Sequence, residues 1–301
     1  MLRQAKNNVK IEGILAENNL EYKTFNKDGK SVEAIAGTLT ILVEQNIKDT
    51  VLPIQVPVYV FTNKYTTTGK VNPSFESMKT AKEEFKSIAM TGSKDDADRV
   101  RITNGNITEN AFYNKAGVLV SSPRIRTSFI QRATGDFHPE ATFSLEFLLS
   151  KMAEVVDKDG VPVEPKALEL TVVVPQYGGR VEEIKLIANN PSVINAVQNY
   201  WTPGESYTAS GRVNFTSERQ VVEEQVDFGE PREVVRTKSV HELVVTGGSQ
   251  MAMEGDFAFS LDEVRTAMAE RASRLEASKT RVAQKVVPTQ NSNYKGLDLG
   301  F

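Results

Sequence analysis

One order of elements, strand-strand-strand-helix-strand-strand, occurs twice along this 301-residue chain, and the repetition constrains the fold more than any single motif. In the first half a long strand pattern runs from Val9 to Phe25, and Asn26-Lys27-Asp28-Gly29-Lys30 supplies a hairpin, because Asp-Gly tolerates positive φ. A second strand spans residues 32–43, with Ala36 and Gly37 where a coiled sheet needs a bulge or a close backbone approach. Residues 53–61 form a third strand whose Pro57 argues for an edge or a bulge. A helix over residues 73–88 opens on Pro73-Ser74 and repeats Phe75, Met78, Ala81, Phe85 and Ile88 near helical spacing. Strands over 100–113 and 118–132 complete the unit.

The second half repeats this with strands over 141–156, 167–175 and 181–188, turning at Asp159-Gly160 and Tyr177-Gly178-Gly179-Arg180. Asn190 caps a short helix over 192–200, with Pro191 at its first position. Strands over 206–215 and 238–246 follow. Ser260-Leu261-Asp262-Glu263 then has the form of a capping box, opening a helix to about residue 285 with a thin apolar stripe of Val264, Met268, Arg271 and Leu275, which suits a peripheral position. Residues from Pro288 to Tyr294 read as a polar, disordered linker. The expected fold is all-β dominated, with minor helix. It comprises barrels over 1–135 and 136–250, a C-terminal helix over 251–286 and a flexible tail over 287–301.

Composition removes several function classes. No apolar run has transmembrane length, and no hydrophobic segment stands behind the N-terminus, so a spanning helix and a secretory signal are not expected. Cysteine is absent, which excludes disulfides and thiolate chemistry and suits a reducing cytoplasm. The two histidines, His138 and His241, cannot build a Cys/His zinc site and leave triad chemistry short of a base. Asp95-Asp96-Ala97-Asp98 lacks EF-hand spacing and reads as a solvated loop. The adjacent pairs Glu182-Glu183 and Glu223-Glu224 point to opposite faces of a strand, so no paired-carboxylate site is implied. Gly178-Gly179 and Gly247-Gly248 lack the Lys-Ser/Thr of a phosphate loop. No enzyme activity, cofactor or metal is expected.

Charge is uneven. Residues 1–135 hold 19 Lys and Arg against 14 Asp and Glu, while residues 136–301 hold 17 against 25. A basic front and an acidic back suit a polyanion at one end and a different partner at the other, or simply two solvated surfaces.

The layout of residues 9–246, together with the terminus Leu297-Asp298-Leu299-Gly300-Phe301, resembles a tandem OB-fold single-stranded-DNA-binding protein of the kind encoded by bacteriophages. The resemblance implies two five-stranded OB-like barrels and sequence-independent binding and protection of single-stranded DNA in replication or recombination. It also implies a terminal tip, Leu297, Asp298, Leu299 and Phe301, that recruits a replication or recombination protein or covers the groove when DNA is absent. This tip carries one aspartate where the family's tip carries several acidic residues.

Single strands are held by aromatic faces and a basic groove, and in OB-folds the groove lies between the first and last hairpins over strands two and three. The candidates there are Tyr22, Lys23, Phe25, Lys27 and Lys30 around the first hairpin, and Tyr59, Phe61, Lys64, Tyr65 and Lys70 at the third strand and its loop. Tyr113 and Lys115 at the last hairpin, with Arg124, Arg126 and Arg132 on the last strand, complete the set. Arg124 and Arg126, two apart, leave one face of a strand, spaced for successive phosphates or for a charged edge that discourages sheet pairing. Phe25 and Phe61 suit core and platform equally, whereas Phe75, Phe85, Phe143 and Phe147 suit core. The second half is poorer in cations, offering Tyr177, Arg180, Lys185, Tyr200 and Arg212, with Trp201 as a cap on the barrel floor. A virion or assembly protein built of β-barrels is the alternative from a different class.

Overall fold

The computed structural model describes residues 2–27, 29–47, 50–114, 116–157, 159–224 and 232–286. Its first strands are β1 (Asn7–Lys27), β2 (Lys30–Ile47) and β3 (Thr50–Asn63), followed by the helices α1 (Pro73–Glu84) and α2 (Ile88–Thr91). Then come β4 (Arg99–Tyr113), β5 (Leu119–Thr127) and the short β6 (Gln131–Arg132). The second set is β7 (Glu140–Glu154), β8 (Leu168–Pro175), β9 (Val181–Ala188), α3 (Pro191–Tyr200), β10 (Ser206–Glu224) and β11 (Arg232–Gly248). The helix α4 (Leu261–Val286) follows.

Strand pairing closes on itself twice. β1 pairs β2, β2 pairs β3, β3 pairs β5 in parallel, β5 pairs β4 and β4 returns to β1. β7, β8, β9, β11 and β10 repeat that circuit, again with one parallel pair, β9 with β11. This is an all-β, OB-like architecture, a Greek-key barrel with its helix between the third and fourth strands. The circuits are joined along β1 and β7, where Asn7–Glu12 pairs antiparallel with Glu140–Leu145.

Alternation builds the cores. On β3, Ile54, Val56, Val58 and Val60 are buried, and the residues between them face outward. Pro57 precedes the three residues, Val58 to Val60, where β5 pairs with β3, so its missing N–H removes nothing from the parallel ladder. α1 plugs its barrel with Phe75, Met78 and Ala81, and α3 does the same with Ile194 and Val197. Both helices start on Asn-Pro-Ser: Asn72 accepts from the Ser74 N–H at 3.1 Å and Asn190 from the Ser192 N–H at 2.9 Å. α1 stops at Glu84 because the backbone at Phe85 is extended, so the helix expected over 73–88 is split into α1 and α2. β10 and β11 run well past the expected ends of their strands, as a long two-stranded arm. Phe75, Phe85, Phe143 and Phe147 are core.

Close approach explains two glycines. A Cβ on Gly37 would lie 2.0 Å from the Asn19 carbonyl oxygen, and one on Gly211 would lie 2.1 Å from that of Val244 and 2.6 Å from the Phe143 ring. Any side chain there would stop the strands coiling into a barrel.

α4 is more than peripheral. Val264 and Ala267 are buried, and Arg271 forms a two-pronged ion pair with Glu109 of β4, itself only 5% exposed. The same Glu109 carboxylate accepts from Ser121 Oγ at 2.8 Å and from the Glu183 N–H at 3.1 Å, while the Glu109 N–H donates to Glu182 Oε2 at 3.0 Å. One cluster thus ties β4 and β5 of the first barrel, β9 of the second, and α4. Burial pushes the Glu182 carboxyl up to about 7, aided by the Glu109 charge and opposed by Arg126 and Arg271. No helix among the described residues is long and apolar enough to cross a membrane.

Candidate nucleic-acid interface

The outer face of the first barrel carries a continuous cross-strand row. Asn19, Thr38, Tyr59, Arg126 and Asn106 are successive partners on β1, β2, β3, β5 and β4. They share a face because the residues beside them, Leu39, Val58, Ile125 and Ile107, turn into the core. Two positions away in opposite directions along these parallel strands, the same face presents Phe61 and Arg124, one on either side of the Tyr59–Arg126 pair. Phe61 is 45% exposed, and its ring centre lies 5.7 Å from that of Phe25, which arrives from the β1–β2 hairpin. The Arg124 guanidinium sits 4.0 Å above the Tyr59 ring. Arg126 is exposed and makes no hydrogen bond or ion pair among the described residues.

Beside Arg126, a polar groove of about 430 Å³ opens between β1, β4 and β5, lined by Asn8, Phe61, Asn104, Asn106, Arg126 and Ser128 among others. Its asparagines were not among the sequence-based candidates. The signal was there, since Asn7-Asn8 and Asn104-Gly105-Asn106 lie in strands, where asparagine is depleted.

The other candidates divide by strand parity and by partner. Lys23 shares the outer face but is paired with Glu21 at 3.3 Å. Tyr22 and Lys64 lie on the opposite side, toward α1. The Tyr22 hydroxyl donates to Glu83, which pushes its pKa up to about 12, and its ring faces Phe75. Lys64 is ion-paired with Glu33, which raises its pKa, and its ammonium stands 5.6 Å from the Tyr65 ring centre. Tyr65 and Lys70 are exposed on the loop that follows β3. The Tyr113 hydroxyl donates to Glu276, raising its pKa, and Lys279 covers its ring at 4.9 Å, so α4 leans on the β4–β5 hairpin.

Arg132 is committed to structure: it pairs with Asp98 at 3.0 Å, donates to the Glu84 carbonyl at 2.9 Å and covers the Phe85 ring at 4.5 Å. Lys27 and Lys30 are backbone partners closing the first hairpin, and their side chains lie outside the described residues. Lys115 and the tip Leu297, Asp298, Leu299 and Phe301 also lie outside the described residues. The structure therefore brings together Phe25, Tyr59, Phe61, Arg124 and Arg126, with Lys23 at their edge.

The equivalent face of the second barrel differs. Glu169, Thr171, Glu183 and Lys185 occupy the outward positions of β8 and β9, with Lys185 paired to Glu169 at 2.9 Å. Trp201 is buried, stacked on Tyr207 at 5.1 Å, and its indole N–H donates to the Ser249 carbonyl at 2.7 Å. It is a core residue there.

Circuit, helix placement and outer face together define an OB-like, all-β protein. The chain belongs to the YorF family, whose sequence profile matches residues 6–281. No curated protein matches the sequence. Among solved structures, a deletion mutant of the single-stranded DNA-binding protein from Thermus aquaticus aligns with a TM-score of 0.49 at 12% identity, over 84% of this chain and 97% of that one. A replication protein A heterotrimer bound to single-stranded DNA aligns with a TM-score of 0.22 at 8% identity, over 79% of this chain and 49% of that one.

Proposed function

We propose that this protein binds single-stranded DNA without a strict sequence requirement, on the outer face of its first barrel. The observation that carries the reading is the juxtaposition of Phe25, Phe61 and Tyr59 with Arg124 and Arg126 on the OB surface that suits a single strand. Aromatic faces take bases of any identity, and the guanidinium groups take the phosphates between them. In this reading residues 1–135 bind DNA, residues 136–250 serve as scaffold, residues 251–286 brace the two, and residues 287–301 recruit a replication or recombination partner. A phage setting and a reducing cytoplasm fit the layout and the absence of cysteine.

The test is a fluorescence-anisotropy titration of labelled oligo-dT at low and moderate salt, with duplex as competitor. Tight, salt-sensitive binding that duplex does not compete supports the reading. No binding at micromolar protein in low salt overturns it.

One observation favours an assembly role instead. Phe112 and Val120 are cross-strand partners and both exposed on the β4–β5 hairpin, an apolar surface that a second protein could cover. Sedimentation of the purified protein would then show self-association that is lost on Phe112→Ser.

A further inference from the structure

We propose that the groove between β1, β4 and β5 receives one unstacked base, whose edge is read by the side-chain amides of Asn8, Asn104 and Asn106 in favour of adenine. The proposal rests on the single-strand reading above and adds a base preference to it.

The four groove-side asparagines behave differently. Asn7 is fully used by the fold: its Nδ2 donates to the Ile107 carbonyl at 2.7 Å, and its Oδ1 accepts from the Ile107 N–H at 2.9 Å. That pair of hydrogen bonds locks β1 to β4. Asn8, Asn104 and Asn106 line the groove, and their side chains make no hydrogen bond among the described residues. Strands disfavour asparagine, and nothing in the sheet repays its presence at these three positions. Val9 pairs with Gly105, so the neighbours of each come together across the β1–β4 seam. A Cβ on Gly105 would lie 3.2 Å from the Val9 carbonyl oxygen, which shows how closely the two strands meet there.

Each amide sets a donor beside an acceptor, and adenine presents the complementary pair in its amino group and adjacent ring nitrogen. Phe61 stands in the same groove to stack on the base, and Arg126 pairs across the strands with Asn106, within reach of the flanking phosphate. The volume, about 430 Å³, falls in the range of small-ligand clefts.

The experiment is a set of competition titrations of the full chain with short dA, dC and dT homopolymers, repeated for the double variant Asn104→Ala/Asn106→Ala. The expected result is a preference for dA of roughly fivefold, the low end for an amide–adenine pair in an open groove. The double variant should lose that preference while its dT affinity stays within about twofold, since stacking and phosphate contacts remain. Equal affinities, a preference for another base, or a dA preference that survives in the double variant overturns the inference and leaves single-strand binding standing. Failure of the wild type to bind any homopolymer overturns both.

Discussion

The guanidinium carbon of Arg124 sits over the Tyr59 ring, 4.0 Å from its centre, so one face of that ring is already occupied. Phe61, two residues along the same strand, has Phe25 at its side and is 45% exposed. On the proposed single-strand reading, Phe61 is therefore the open stacking surface. Phe61→Ala is expected to cost roughly 1–3 kcal/mol in single-strand affinity, and Tyr59→Ala less. Anisotropy titrations of both variants against oligo-dT check the order, and a larger loss at Tyr59 would reverse the assignment of platforms.

Cations already neutralised by a neighbour release few counterions on binding. Lys23 and Lys64 are paired with Glu21 and Glu33, whereas Arg126 has no ion-pair partner among the described residues. Arg126→Gln should lower the slope of log affinity against log salt by about 0.7, the value for one phosphate of a single strand. Lys23→Gln should change the slope by much less. Titrations across a salt series measure both.

Glu182 makes stability depend on pH. Burial raises its carboxyl to about 7 in the folded chain, from an ordinary value of 4.5. Across that window the native state keeps a proton that the unfolded state releases, so stability falls as pH rises from about 4.5 to 7 and then levels off. Glu12 and Glu146, held low by Arg101 and by Arg3, act in the other direction and only in acid, losing their stabilisation as pH falls below the ordinary carboxylate range. His241, lowered by burial, gains stability with rising pH up to its ordinary value, so the informative quantity is the difference between wild type and Glu182→Gln. The variant should be more stable than wild type at pH 8, by at most about 3 kcal/mol, with the gap closing toward pH 5. Urea melts followed by the fluorescence of Trp201, the one tryptophan, read this directly.

Arg271 neutralises a carboxylate that water hardly reaches. Arg271→Ala leaves Glu109 buried and charged between the barrels, and a loss of roughly 3–5 kcal/mol in unfolding free energy is expected. Adding Glu109→Gln should recover part of it, because the amide oxygen can still accept from the Glu183 N–H while the amide nitrogen donates to the Ser121 hydroxyl, which can turn to accept. A double variant no more stable than Arg271→Ala would show that the ion pair is not what holds α4.

Much of the architecture could be read in the residues. Asp28-Gly29 and Asp159-Gly160 marked hairpins, Pro73-Ser74 and Asn190-Pro191 marked helix starts, and the Val- and aromatic-rich run over 53–61 marked a strand. These signals are local: each depends on dihedral preference or side-chain period within a few residues. The same locality limited the description of α4, whose apolar stripe looked thin because one of its anchors is an arginine. Arg271 reads only as one position of that stripe until Glu109, 162 positions earlier, is brought to it.

The site shows the division most sharply. Sequence by itself determined which residue types were available, that basic side chains outnumber acidic ones in the first 135 positions, and that Tyr59 and Phe61 share a strand face, as do Arg124 and Arg126. Only the tertiary structure decided which of them meet. The parallel pairing of β3 with β5 sets Tyr59 beside Arg126, and the β1–β4 seam gathers three asparagines into one groove. The carboxylates that occupy Lys64 and Arg132 become neighbours only through strand register and helix placement, whereas Glu21 reaches Lys23 from two positions away on one strand. A barrel closes through contacts between residues far apart in the chain, so the partner of a side chain is a property of the closure and not of its neighbours in sequence.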